Sequence, residues 1–265
     1  MKKWMNYLFW VLLLGGIIAV FVYANKQRAN YQNTDPKITI HTDGEHVFIT
    51  KEELILFLKE KGLFRLGQNY SSTLFNAIEK VLVDLPEVKS VNVYSSVNGA
   101  LFIDVTLRNP IVHVYNQFNE SFYLDEGGYI VPANYLHPAR VLVANGYIED
   151  RISSPNVNEI INNDSLKTIY KIDNLFHISK YVCNDPLLQP LIGQVYRRKN
   201  GDFVLVPVVG GQQIIFGSAN TEEEIEEKFK KLKIFYKEGI PYEGWNTYSE
   251  INLKYAKQIV CTKKE

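Results

Sequence analysis

The chain has 265 residues, 46% of them hydrophobic and 22% charged, so it carries enough apolar surface to fold into one large or two small domains. Lys+Arg and Asp+Glu both total 29, and a formal charge of zero gives no footing to nucleic-acid binding, which rests on a basic excess. Two cysteines exclude a disulfide scaffold and any multi-cysteine zinc or iron–sulfur site.

Residues 7–24 carry no charge. As a helix they reach about 27 Å, just enough for a hydrocarbon core of roughly 30 Å. Trp4, Tyr7 and Tyr23 stand near the ends, where amphipathic rings favour the interface. A retained signal-anchor, a secretory peptide cleaved after Ala24 and a buried core helix all fit; the length of the apolar run favours retention. Lys2 and Lys3 favour an inside N-terminus, and Lys26 and Arg28 weaken that vote. Residues 1–6 form a short cytoplasmic tail, and the polar stretch 25–36 reads as a tether.

Beyond the tether, Lys37-Ile-Thr-Ile-His41 alternates like a strand, and Asp43-Gly44 signals a turn. Thr50 and Glu53 have capping-box spacing, so a helix is expected from there to Gly62. A second helix starts near Ser71 or Ser72, carries Leu74, Ile78, Val81, Leu82 and Leu85 on one stripe, and stops at Pro86. Strands over 88–97 and 100–108 flank Asn98-Gly99, a hairpin signal. In the second of them Leu101, Ile103, Val105 and Leu107 share a face. The order strand–helix–helix–strand–strand over 37–108 describes a small α+β domain with two helices on one sheet face.

Residues 109–261 read as a second, mixed and mostly antiparallel β domain, followed by a tail at 262–265. Short strands are expected at 111–115, 122–124, 129–131 and 141–143, with Asp125-Glu-Gly-Gly128 as a turn. A helix follows at 165–178. A meander then covers 191–197, 203–209 and 213–216, turning at Asn200-Gly201, with Pro207 at a bulge or an edge. Thr221-Glu-Glu-Glu224 has a second capping-box spacing; the helix it opens is acidic at its start, basic at its end, and expected to stop at Gly239. Residues 248–261 alternate as one long strand, with Ile251, Leu253, Tyr255 and Ile259 on one face and Asn252, Lys254, Ala256 and Gln258 on the other.

No phosphate-binding, nucleophile-elbow or zinc-protease motif occurs. His41, Asp43 and His46 flank a turn and could sketch a metal site, though a solvated loop explains them as well. Cys183 and Cys261 could pair or could each be a small buried apolar residue. The carboxylates cluster at helix starts, where capping accounts for them. The reading is therefore a protein without a catalytic site, cofactor or metal. A late strand at a sheet edge would leave backbone N–H and C=O groups for a partner to pair with. The residues assigned to such docking are Ile251, Asn252, Leu253, Lys254, Tyr255, Ala256, Lys257, Gln258 and Ile259.

Several segments resemble the bacterial cell-division family FtsQ/DivIB. Leu85-Pro86-Glu-Val88 is similar to the family's "LPWV" turn, with Glu87 in place of Trp. Leu101-Phe-Ile-Asp-Val-Thr-Leu-Arg-Asn-Pro-Ile111 resembles its "L-x-V-x-V-x-E-R-x-P-V" exit, with Leu107 where an acid is usual. Phe122-Tyr-Leu-Asp-Glu-Gly-Gly128 resembles "LVD-x-x-G", and 250–260 resembles a terminal "x-I-D-L-R-Y" strand in which Tyr255 matches the Tyr and Lys254 the Arg. The resemblance implies a POTRA domain over 37–108 and a single-pass type II protein of the inner membrane at the division septum. It further implies a terminal strand that binds FtsB, paired with FtsL, so as to help control the septal synthase FtsW/FtsI. Alternatives from other classes are a POTRA-type outer-membrane assembly factor, a secreted cell-wall hydrolase, and a type II glycoprotein, which the sequons at Asn69, Asn119 and Asn163 allow.

Overall fold

A computed structural model describes residues 2–32, 35–42, 48–65, 72–96, 100–133 and 137–264. The expected turns at Asp43-Gly44 and Asn98-Gly99, the residue Ser71, and the glycosylation sequon at Asn69 lie outside the described residues. The chain divides into two compact units, residues 1–107 and 108–265.

The first unit opens with α1 (Lys2–Gln32), which contains an 18-residue window, Phe9–Lys26, of mean hydropathy 1.8. That is long and apolar enough to cross a membrane. The helix does not stop at residue 24: it runs on through the first part of the stretch read as a polar tether. Next come β1 (Lys37–His41), α2 (Lys51–Glu60), α3 (Ser72–Val83), β2 (Val88–Ser95) and β3 (Leu101–Leu107). The sheet order is β1-β3-β2, with β1 parallel to β3 and β2 antiparallel to it.

Helix α2 shows how local chemistry sets its ends. The Thr50 hydroxyl accepts the Glu53 N–H at 3.3 Å, and the Glu53 carboxylate accepts the Thr50 N–H at 2.7 Å. At the other end Gly62 takes φ +70°. Its N–H donates to the Lys59 carbonyl and that of Leu63 to the Leu58 carbonyl, which satisfies two carbonyls the helix leaves open. Leu54 and Leu58 of α2, with Ile78 and Leu82 of α3, pack on Leu101, Ile103, Val105 and Leu107 of β3. Fully burying each such side chain contributes roughly 1.5–3 kcal/mol.

The second unit contains β4 (Pro110–Tyr115), β5 (Ser121–Asp125), β6 (Ile130–Pro132) and β7 (Leu142–Gly146), then α4 (Val157–Ile161), α5 (Asp164–Ile169), α6 (Ile172–Asn184) and α7 (Leu188–Leu191). Strands β8 (Ile192–Arg197), β9 (Phe203–Pro207) and β10 (Gln213–Gly217) follow. Helix α8 (Glu222–Ile234) continues through a π-helical turn (Phe235–Gly239) into α9 (Ile240–Glu243), ahead of β11 (Tyr248–Asn252) and β12 (Val260–Lys263). Among the described residues these strands form one nine-stranded sheet, ordered β12-β11-β10-β9-β8-β7-β4-β5-β6. The pairs β4/β7, β7/β8 and β10/β11 are parallel and the other five are antiparallel. Parallel neighbours need long crossovers, and the helical runs α4–α7 and α8–α9 supply two of them. The inward residues Val112, Phe122, Leu205, Phe216 and Ile251 meet Phe176 of α6 and Phe229 of α8 in one core.

Four local expectations are corrected here. The helix expected over 165–178 is two helices, broken at Tyr170 and Lys171, where Asp150 accepts the Lys171 N–H and so opens α6 from outside. Thr221 caps α8 through the Glu224 N–H, but the Glu224 carboxylate turns to the Asn220 N–H, Ser218 and Lys228 and does not close a capping box. Gly239 does not end the helix. It stays at φ −89° with the Phe235 ring against it, and the chain continues to Glu243.

The last correction matters most. Residues 248–261 are not one strand but a hairpin, because the chain leaves the ladder after Asn252 and returns as β12, antiparallel to β11.

Candidate partner-docking edge

The nine-stranded sheet has two ends, and they differ. At the β6 end, the Ile130 N–H donates to the Asn156 side-chain oxygen at 3.2 Å, and the Val157 N–H binds the Gly128 carbonyl at 2.9 Å. Pro132, in the same strand, has no N–H to offer. That edge is blunted by its own chain.

The β12 end is different. Its inner flank pairs with β11 through Asn252↔Val260, Ile251↔Cys261 and Glu250↔Thr262. Among the described residues no strand pairs with its outer flank. Val260 is 40% exposed, and Thr262 and Lys263 are exposed.

The sequence-assigned docking residues fall on three different features. Ile251 and Asn252 belong to β11, whose two flanks are filled by β10 and β12, so neither can accept a foreign strand. Ile251 and Leu253 are buried in the core. Lys254, Tyr255, Ala256, Lys257 and Gln258 form the exposed loop between the two strands, and Ile259 is half-buried where the chain returns. The free flank belongs to 260–263, which the assignment stopped short of.

Several groups shape this loop. The Asn252 side-chain oxygen accepts the Lys254 N–H at 3.1 Å, an Asx turn that bends the chain away from the ladder. The Leu253 N–H reaches across to the Ile215 carbonyl at 2.9 Å. Lys254 pairs with Asp202 at 2.8 Å and holds that carboxyl below the usual carboxylate range. Its stem covers Gly217, where φ is +78° and a Cβ would stand 2.7 Å from the Lys254 Cγ. Lys231 of α8 reaches the loop from the helical side and donates to the Tyr255 carbonyl at 2.7 Å. The Tyr255 ring is 50% exposed.

The other candidates are dispersed. His41 is exposed at the end of β1, while Asp43 and His46 lie outside the described residues. No group able to hold a metal occurs among the described residues. Cys183 and Cys261 are both free thiols. Cys183 donates to the Ile111 carbonyl at 3.2 Å, and burial pushes its thiol up to about 11.

Behind the edge, the "LVD-x-x-G"-like segment builds the turn that closes the opposite end of the sheet. Asp125 is 3% exposed and accepts the Gly127 and Tyr129 N–H groups at 2.9 and 2.8 Å. Its second oxygen takes Arg108 at 2.9 Å, and the Arg108 guanidinium lies 4.0 Å from the Tyr129 ring centre.

An apolar N-terminal helix, a βααββ domain and a helix-covered mixed sheet together define a POTRA-containing protein with, among the described residues, one candidate membrane span. Residues 33–106 match the POTRA-like domain. Residues 109–262, more than half of the chain, match the family described as FtsQ/DivIB, C-terminal related. The chain belongs to that family, as its motifs implied. No curated protein matches it. Membership supports a division-related, POTRA-containing protein; the family is one of non-enzymatic scaffolds and points to division-protein partners in general, and the N-terminal apolar helix fits a single-pass protein of the inner membrane.

Proposed function

We propose that this protein is a non-enzymatic division scaffold that docks an extended segment of the FtsB/FtsL pair by strand addition along β12. Residues 253–259 form a shoulder beside that rail. Helix α1 anchors it in the inner membrane with the N-terminus in the cytoplasm, and both folded units work on the outer side, at the septum. Through this docking it helps position and control the synthase pair FtsW/FtsI.

The observation that carries the reading is the asymmetry of the sheet: one end capped by Asn156 and Pro132, the other presenting an unpaired flank. Main-chain pairing would supply affinity, and the alternating side chains of β12 would supply selectivity.

Photo-crosslinking in dividing cells tests it. Probes at Val260 and Thr262 are expected to capture FtsB, and a probe at Pro132 to capture no division protein. Equal capture from both ends, or none from Val260 and Thr262, would overturn the proposal.

A further inference from the structure

The docking loop has little to hold it from within its own sequence. Residues 254–258 contain no Gly or Pro, and all five are exposed. Only the Asx turn at Asn252 comes from the loop's own segment. From outside, Lys254 is held by Asp202 and lies on Gly217, and the backbone carbonyls of the loop are held by helix α8. Lys231 Nζ lies 2.7 Å from the Tyr255 carbonyl oxygen, 3.3 Å from that of Ala256 and 3.4 Å from that of Leu253. Three carbonyls thus converge on one ammonium, and the bond to Tyr255 is the short, strong one.

Lys231 is aimed there by the helix beneath it. Lys228, one turn earlier, is buried, with its ammonium on Glu224 and the Ser218 carbonyl. Ile225, Phe229 and Leu232 lock the same helix into the core. An ammonium on such a stiff base is a fixed point rather than a wandering surface charge. Burial and the neighbouring Lys228 charge push the Lys231 pKa down, in keeping with an ammonium drawn in from solvent.

We infer that Lys231 is a positioning residue of the docking site: by gathering the Leu253, Tyr255 and Ala256 carbonyls it sets the loop that carries the half-exposed Tyr255 ring and leads into β12. This rests on the docking reading above and adds to it the internal strut that shapes the shoulder. Lys231 itself need not touch the partner. A partner would meet a surface already ordered, which lowers the entropic cost of binding.

The test uses the full-length chain in detergent micelles and the Lys231→Met variant, which keeps the length of the stem and removes the ammonium. Amide hydrogen exchange at Leu253 and Lys254, whose N–H groups are held by the Ile215 carbonyl and the Asn252 side chain, is expected to quicken roughly tenfold or more, the loss of one charge-assisted bond, while exchange in β4 and α6 stays unchanged. Affinity for purified FtsB/FtsL should fall by a similar factor. In a double-mutant cycle, Lys231→Met should add nothing to the loss caused by Tyr255→Ala, because one acts through the other.

Unchanged exchange at Leu253 and Lys254 would refute the strut. Quickened exchange with unchanged affinity, in a protein where Tyr255→Ala does weaken binding, would overturn the positioning role and leave the docking site standing. Additive losses would overturn it as well. Quickened exchange with both variants binding like the wild type would sink the docking shoulder itself. Should Lys231→Met disturb β4 or α6, Lys231→Gln, a shorter neutral donor, is measured by the same criteria.

Discussion

Replacing Asp125 is the sharpest test of how the second unit is built. Asp125→Ala removes the acceptor of the Gly127 and Tyr129 N–H groups, at 2.9 and 2.8 Å, and the 2.9 Å carboxylate partner of Arg108. The carboxylate is almost wholly buried, so the lost bonds are not simply replaced by water. Breaking a buried ion pair of this kind costs about 3–5 kcal/mol. Asp125→Asn separates the two contributions. Its amide oxygen can still accept both N–H groups, but its NH2 then faces the Arg108 guanidinium donor to donor, so the ion pair is lost and the turn is kept, and the cost should fall about 1–2 kcal/mol below that of Asp125→Ala. Urea denaturation of the detergent-solubilised chain, followed by tryptophan fluorescence, reports on this unit through Trp245. If Asp125→Ala lies within about 1 kcal/mol of wild type, or if Asn costs as much as Ala, the turn does not depend on the carboxylate as argued.

Two further outcomes follow from single residues. Tyr255 is 50% exposed, and a tyrosine offers roughly 150–250 Å², so about 100 Å² remains for a partner to cover. At ~25 cal/mol per Å² that is about 2.5 kcal/mol, and Tyr255→Ala should raise the dissociation constant about sixtyfold in titration calorimetry; a change under twofold removes it as an anchor. Cys183 has its pKa raised from 9.0 to about 11 by burial. The unfolded chain therefore loses this proton first, so the contribution is intact below pH 9 and is lost as pH rises towards 11. By about 1.4 kcal/mol per unit, wild type should lose on the order of 2 kcal/mol more than Cys183→Ala across that window, and parallel stability profiles would refute the assignment.

Features fixed by nearest neighbours were legible in the sequence. Thr50 and Glu53 close the box their spacing announces, and Gly62 supplies the left-handed residue that ends α2. The alternation of Leu101, Ile103, Val105 and Leu107 placed them all on the buried face of β3. What escaped was set by contacts distant in sequence. The break before α6 is imposed by Asp150, and Glu224 is drawn off its cap by Ser218, Lys228 and the Asn220 N–H. At Gly239 the neighbouring Phe235 ring, rather than a left-handed turn, decides the backbone. The terminal hairpin was hidden because residues 253–259 hold none of the usual turn residues. Asn252 was the one local hint, and much of the bend comes from Lys231, more than twenty residues earlier. The unpaired flank of the sheet accordingly lies in β12, among the described residues, one strand after β11, where the alternation directed attention.

The unequal ends of the large sheet also set a valency. A sheet open at both ends could grow head to tail, each molecule serving as the template for the next. With Asn156 and Pro132 sealing one end, head-to-tail growth through β6 is closed, and a strand added at β12 ends the series. On the proposed docking, the rail is filled once, which suits a component that must be counted into an assembly rather than polymerise.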